Sequence, residues 1–257
     1  MSLIALCSAT GAPGVTTTAL ALGWVWPLVH PDRRVLVVDA DVAGSGPLPG
    51  LLHADVPAGN GVLALAAERT GLTPDSLIEQ VLALDPSGQR LLLTGITDPT
   101  QARTLGSVWT GLVDVAPELA GAGIDVVVDL GRLGHRYEPT VLVEQADVAA
   151  VVLRSTLPSV TGATSALRSL RETRGPVSMT TAVLIGEGDP YTSREIAREL
   201  HVDPLPTVAM DAWAAQVLST GGATGWRFDR SPLLRGARGL AASLHALINS
   251  LGPVVRS

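Results

Sequence analysis

The 257 residues are 46% hydrophobic, with a mean hydropathy of +0.34 and a net charge of −6, enough apolar material for one large core and too much for a disordered chain. The charges are scattered without a run of one sign, which argues against a dedicated nucleic-acid or anionic-membrane protein. The single cysteine, Cys7, lies inside an apolar run and excludes a disulfide framework, so a reducing cytoplasm is the expected compartment and a core position the expected role.

Short Val/Leu/Ile runs alternate with longer stretches of helical period, the pattern of a mostly parallel sheet covered on both faces by crossover helices. The expectation is one α/β domain over residues 1–257, a three-layer α/β/α sandwich. In chain order, strand Leu3–Ser8 precedes helix Thr16–Trp26, strand Val35–Asp39, helices Gly61–Arg69 and Asp75–Leu84, and strand Arg90–Gly95. Helix Gly106–Ala120, strands Asp125–Asp129 and Val148–Leu153, and helix Pro158–Arg174 follow. Strand Thr181–Ile185, helix Ser193–Leu200, strand Thr207–Met210 and helices Ala212–Ser219 and Leu233–Leu251 complete the chain. Asp75 and Thr192 are expected to cap their helices, Thr192 in a capping box with Glu195. The Gly/Pro-rich piece Ala43–Gly61 reads as a loop, either a plain connection or a switch. No apolar run reaches the ~20 residues that cross a bilayer, and the start of the chain, lacking a basic flank and running into a glycine-rich loop, does not read as a signal peptide.

That loop carries the first chemistry. Strand Leu3–Ser8 runs into Ala9-Thr10-Gly11-Ala12-Pro13-Gly14-Val15-Thr16-Thr17, and a helix begins there. Strand, glycine-rich loop and helix N-terminus together turn backbone amides toward a phosphate. A working loop of this type places a lysine just before the Ser/Thr, to offset phosphate charge, and uses the hydroxyl to hold Mg²⁺. Here the lysine position is Val15, and no lysine occurs anywhere: all 18 basic residues are arginine. Two more strands end in carboxylates, Asp39-Ala40-Asp41 and Asp129-Leu130-Gly131, at the carboxyl edge where open α/β sheets bind ligands.

The loop, Asp-Ala-Asp and Asp-Leu-Gly, in that order and spacing, resemble the MinD/ParA family of P-loop ATPases, over nearly the whole chain. The family loop reads Lys-Gly-Gly-x-Gly-Lys-Thr-Thr. By this resemblance Gly11, Gly14, Thr16 and Thr17 are kept, Ala12 takes a glycine position, Pro13 removes one amide, Thr10 replaces the signature lysine that reaches across a dimer, and Val15 replaces the Walker lysine. The resemblance further makes Thr16 and Asp39 the Mg²⁺ residues, Asp41 the residue that positions attacking water, and Asp129 a carboxylate that supports the metal from behind its direct ligands. The family's adenine-reading Asn is Gly186 here. Arg132 and Arg154, just past two strand ends, are either ordinary surface arginines or substitutes for the missing lysine. ATP and Mg²⁺ are therefore the implied cofactors, bound weakly or not at all, because an ATP phosphate chain beside three carboxylates lacks an offsetting cation.

Within the family, Ala146–Val160, Pro190–Leu200 and Asp211–Gly222 resemble the TadZ/CpaE branch, associated with localising and assembling Tad-type pili. The implied function is a localisation or scaffolding component, a homodimer with protein partners in a cell-envelope assembly and absent or very weak hydrolysis. The implied location is the cytoplasm, or the inner face of the membrane through those partners. The alternatives are an active dimerisation switch or a DNA-partition factor. The apolar stripe Leu240, Leu244, Leu247, Ile248, Leu251 reads as core packing rather than a membrane anchor, since its polar face lacks basic enrichment. Arg227, Arg230, Arg235 and Arg238 read as solvated surface, too few for a nucleic-acid footprint. The five tryptophans Trp24, Trp26, Trp109, Trp213 and Trp226 read first as core, and the five histidines show no metal-ligand spacing.

Overall fold

In the computed structural model, which describes residues 3–11, 13–44, 46–47, 50–51, 60–68, 71–175, 178–188, 190–222 and 224–250, the apolar runs pair into an eight-stranded sheet. Chain order gives β1 Leu3–Ser8, α1 Val15–Val29, β2 Arg34–Asp39, α2 Val62–Ala67, α3 Pro74–Glu79, β3 Leu82–Ala83, β4 Arg90–Leu93, a 3₁₀ segment Pro99–Thr104, α4 Gly106–Gly121 and β5 Ile124–Arg132. Then come α5 Thr140–Gln145, β6 Val148–Arg154, α6 Leu157–Thr173, β7 Met179–Ile185, α7 Ser193–Leu200, β8 Thr207–Val208, α8 Ala212–Thr220, α9 Trp226–Asp229 and α10 Pro232–Ser250. The strand order is β3-β4-β2-β5-β1-β6-β7-β8, parallel except for β3. The expected α/β sandwich is therefore what the chain forms. The expected residue Ala12, the ends Arg69 and Leu251, and most of the Ala43–Gly61 loop lie outside the described residues.

The strands are buried on both faces because alternate side chains feed two cores. Leu3, Ala5 and Cys7 of β1 join one apolar cluster with α4 and α6, while Ile4 and Leu6 join the other with α1 and α10. Cys7 is fully buried as expected, and burial pushes its thiol up to about 12. Leu240 and Leu244 of α10 are buried, and Leu247 and Ile248 pack on the same cluster, so the stripe on this helix faces the protein core. Among the described residues no helix is long and apolar enough to cross a membrane.

Several sequence expectations are corrected. Helix α3 is capped by Thr73, whose hydroxyl accepts from the Ser76 amide in a reciprocal box, and Asp75 sits inside the first turn. It also stops at Glu79, five residues before the expected end. The cause is Asp85-Pro86-Ser87-Gly88, a turn that folds β3 back antiparallel on β4. The Asp85 carboxylate accepts from the Gln89 amide at 3.0 Å and pairs with Arg90 at 2.6 Å, fixing the hairpin. The Thr192 box forms as expected. Of the tryptophans, Trp26 and Trp109 are core, but Trp213 is 39% and Trp226 75% exposed. Trp226 opens α9, a short element without a helical apolar period of its own, and Trp213 of α8 packs against Phe228 of that element.

Candidate functional site

The first strand delivers the glycine-rich loop to the carboxyl edge of the sheet, between β5 and β6. Gly14, at φ 111°, is the residue before α1, and no side chain caps the helix. Gly14 therefore gives the first-turn amides of this 15-residue helix no capping side chain, and no acidic residue lies in that turn. Pro13 is buried, and Thr16 and Thr17 are half-buried. Val15 begins the helix with its side chain 5% exposed, in the same apolar cluster as Leu20 and Leu22. Thr10 turns onto α6, where Gly162 leaves room: a Cβ there would stand 2.5 Å from the Thr10 methyl.

The carboxylates meet because β2 and β5 are neighbours in register. Asp39 and Asp129 are register partners, each 1% exposed, and both point to the α1 face of the sheet with Val37 and Val127. The Asp129 Oδ1 accepts from the Gly131 amide at 2.9 Å, and Asp39 Oδ1 from the Asp41 amide at 3.3 Å. Asp41 in turn accepts from the Ala43 amide at 2.8 Å and lies over Gly131, which at φ 60° and with no room for a Cβ must be glycine. Gly46 comes back onto the Asp39 carboxylate so closely that a Cβ would overlap it. The Asp129 Oδ2 is buried and has no hydrogen-bond partner. The Thr16 hydroxyl acts on the same carboxyl group and lowers its pKa.

Electrostatically this is an uncompensated pair. Burial raises the Asp129 pKa to about 6 against the pull of Thr16 and Gly131, and Asp41 raises it further. Burial, then the charge of Asp129, holds Asp39 well above the usual carboxylate range. Among the described residues no basic side chain figures in the groups that act on either. Arg132 and Arg154 end β5 and β6 on either side of the loop, but both are exposed. Beside Thr16 and Thr17 opens a cleft of about 400 Å³, walled by Gly46, Pro47, Gly50 and Ser219.

The structure thus brings Gly14, Thr16, Thr17, Asp39, Asp41 and Asp129 to one edge, and it keeps Val15 inside the core. Gly186 follows β7 at φ 74°, its amide donating to the Val208 carbonyl at 2.8 Å, with Met210 packed over it. Ser8 and Gly46 escaped the sequence reading. Ser8 is 1% exposed and donates from Oγ to the Gly131 carbonyl at 3.4 Å. A polar residue ending an apolar run was its only signal.

No protein-family model matches the chain, and comparison with curated proteins gives no match. Solved structures do match. The cell division ATPase MinD of Pyrococcus furiosus is 20% identical, with 96% of this chain and 100% of that one covered and a TM-score of 0.72. The septum site-determining protein MinD of Pyrococcus horikoshii OT3, complexed with Mg-ADP, is 17% identical over 98% and 99%, also at 0.72. A ParA family ATPase from Chlorobium tepidum TLS is 18% identical over 94% and 99%, at 0.71. The chain has the MinD/ParA fold.

Proposed function

We propose that the chain is a MinD/ParA-type P-loop protein that works as a positioning or scaffolding component, with ATP hydrolysis absent or very weak. The observation that carries this reading is Val15: where the family resemblance calls for the phosphate-binding lysine, an aliphatic side chain lies in the core, and among the described residues no basic side chain acts on Asp39 or Asp129. Fold is silent on activity, since one scaffold hosts catalytic and non-catalytic members. The TadZ/CpaE-like segments, and Thr10 held against α6 rather than bearing a charge that crosses to a partner, support a homodimer that does not depend on nucleotide. Cell-envelope partners of the pilus-assembly kind follow from the same segments.

The second reading is an ATP-dependent dimerisation switch, and a specific observation favours it. The partnerless Oδ2 of Asp129, a carboxyl group that Thr16 acts on and that is the register partner of Asp39, suits a divalent cation. These three residues would hold Mg²⁺, which would neutralise phosphate charge when bound with nucleotide. The chain's own part would be the α1 amides to orient phosphate and Asp41 to orient water.

Isothermal titration with Mg·ATP separates the two. Under the scaffold reading the native chain gives no heat at millimolar ATP, and Val15→Lys gains binding because loop and carboxylates are already placed. Micromolar binding by the native chain would refute it and turn attention to Arg132 and Arg154 as phosphate ligands.

A further inference from the structure

Residues at the start of α8, in α9 and at the start of α10 line a second cleft of about 560 Å³, which includes Met210, Trp213, Trp226, Arg227 and Arg230. We propose that it docks an acidic linear peptide of a partner protein, one that carries an aromatic or aliphatic anchor between carboxylates. Trp226 at 75% and Met210 at 59% are among the most exposed large apolar side chains of the chain, and they share this one concavity. Phe228 of α9 is 1% exposed and packs edge-on against Trp24 at 5.3 Å and Trp213 at 6.3 Å, so α9 is anchored from below while Trp226 stays outside.

The charge around these indoles selects the ligand. The Arg227 guanidinium lies 4.7 Å over the Trp213 ring, which holds the fork in place and leaves its N–H edge free for a carboxylate. Among the described residues neither Arg227 nor Arg230 has an ion-pair partner. The neighbouring carboxylates are already engaged: Asp211 accepts from the Ala214 amide at 3.1 Å and caps α8, and Asp229 accepts from Trp24 Nε1 at 3.1 Å. Arg235 and Arg238 of α10 add charge behind the cleft and donate to the carbonyls of Arg230 and Asp229. Two apolar plates beside two unpaired guanidinium groups complement an apolar residue flanked by Asp or Glu.

Other occupants fit less well. A second copy would meet Arg227 with like charge, because a two-fold contact sets the same patch against itself. Nucleic acid needs a broad basic footprint, and the chain as a whole is −6. A bilayer is flat, whereas Trp226 forms the wall of a concavity. The cleft contains none of Thr16, Asp39 or Asp129, so this inference stands or falls apart from nucleotide binding.

The test is selection of a displayed random-peptide library on the immobilised full chain, with synthetic winners titrated by fluorescence polarisation. The expected winners carry Asp or Glu around one Trp, Phe, Leu or Met. Trp226→Ala and Arg227→Glu, both exposed and so compatible with folding, should each weaken binding about 30-fold, as loss of an interface hot spot does. Failure to enrich any such sequence, or winners that bind both variants as well as the native chain, would overturn the proposal. So would variant-sensitive binding of a single-stranded oligonucleotide or of phosphatidylglycerol vesicles, or variant-sensitive dimerisation in sedimentation without peptide.

Discussion

Replacing Asp129 by Asn should make this protein more stable at neutral pH. The native carboxylate is fully buried, its Oδ2 has no hydrogen-bond partner, and its register partner Asp39 is a second carboxylate. Burial raises its pKa from 3.8 to about 6, and at 1.36 kcal/mol per unit that places about 3 kcal/mol of destabilisation on the folded state at pH 7. Asparagine keeps the shape, retains an acceptor for the Gly131 amide and replaces the partnerless charged Oδ2 by a neutral donor. In thermal unfolding with a chelator at pH 7, the variant should melt about 6–12 °C above the native chain, the shift expected for ~3 kcal/mol in a chain of this size. The sign reverses the usual carboxylate case. A folded pKa above the unfolded one means the native state holds the extra proton, so native stability rises as pH falls from about 6 toward 3.8, and the advantage of the variant shrinks over the same window. Equal or lower stability of Asp129→Asn at pH 7 would refute the reasoning, because it would mean that the Asp129 charge is already compensated in the chain alone.

Arg33 pairs with Asp125, which is 1% exposed and also accepts from Trp26 Nε1 at 2.9 Å. Arg33→Met should cost about 2–3 kcal/mol in urea unfolding, below the full cost of breaking a buried pair because Arg33 is partly exposed. His30, after α1, stacks on His245 of α10 with centroids 4.1 Å apart, and burial followed by the charge of His245 lowers its pKa, with Asp125 and Arg33 acting in opposite directions. A lowered histidine pKa favours the neutral form, so its contribution to stability is complete above pH 6.5 and is lost as pH falls below it. His30→Phe should therefore lose less melting temperature between pH 7 and pH 5 than the native chain does, and an equal loss would remove His30 from the account.

Local chemistry was legible in the sequence. The run Leu3–Ser8 into a glycine-rich loop and a helix needs only neighbours along the chain, so β1, the loop and α1 could be placed from period and turn residues. The Thr192–Glu195 box is equally local, and it forms. The Asp85–Gly88 turn shows the limit: its four residues are a turn signal, yet Val81–Leu84 continues the apolar pattern of α3, and only pairing with β4 makes it a strand. Trp226 shows another limit. An indole in a short Gly-flanked segment reads as core until Phe228, two residues on, takes the buried place.

What the sequence determined by itself was the set of parts: alternating strands and helices, a phosphate-type loop without lysine, and carboxylates at two strand ends. The tertiary structure alone decided that β2 lies beside β5 in the register that sets Asp39 against Asp129, that Val15 turns into the core, and that Arg132 and Arg154 stay in solvent. Strand order and register are long-range choices, made by burying both faces of the sheet at once, and the energies of buried charges depend on those neighbours rather than on the chain around them.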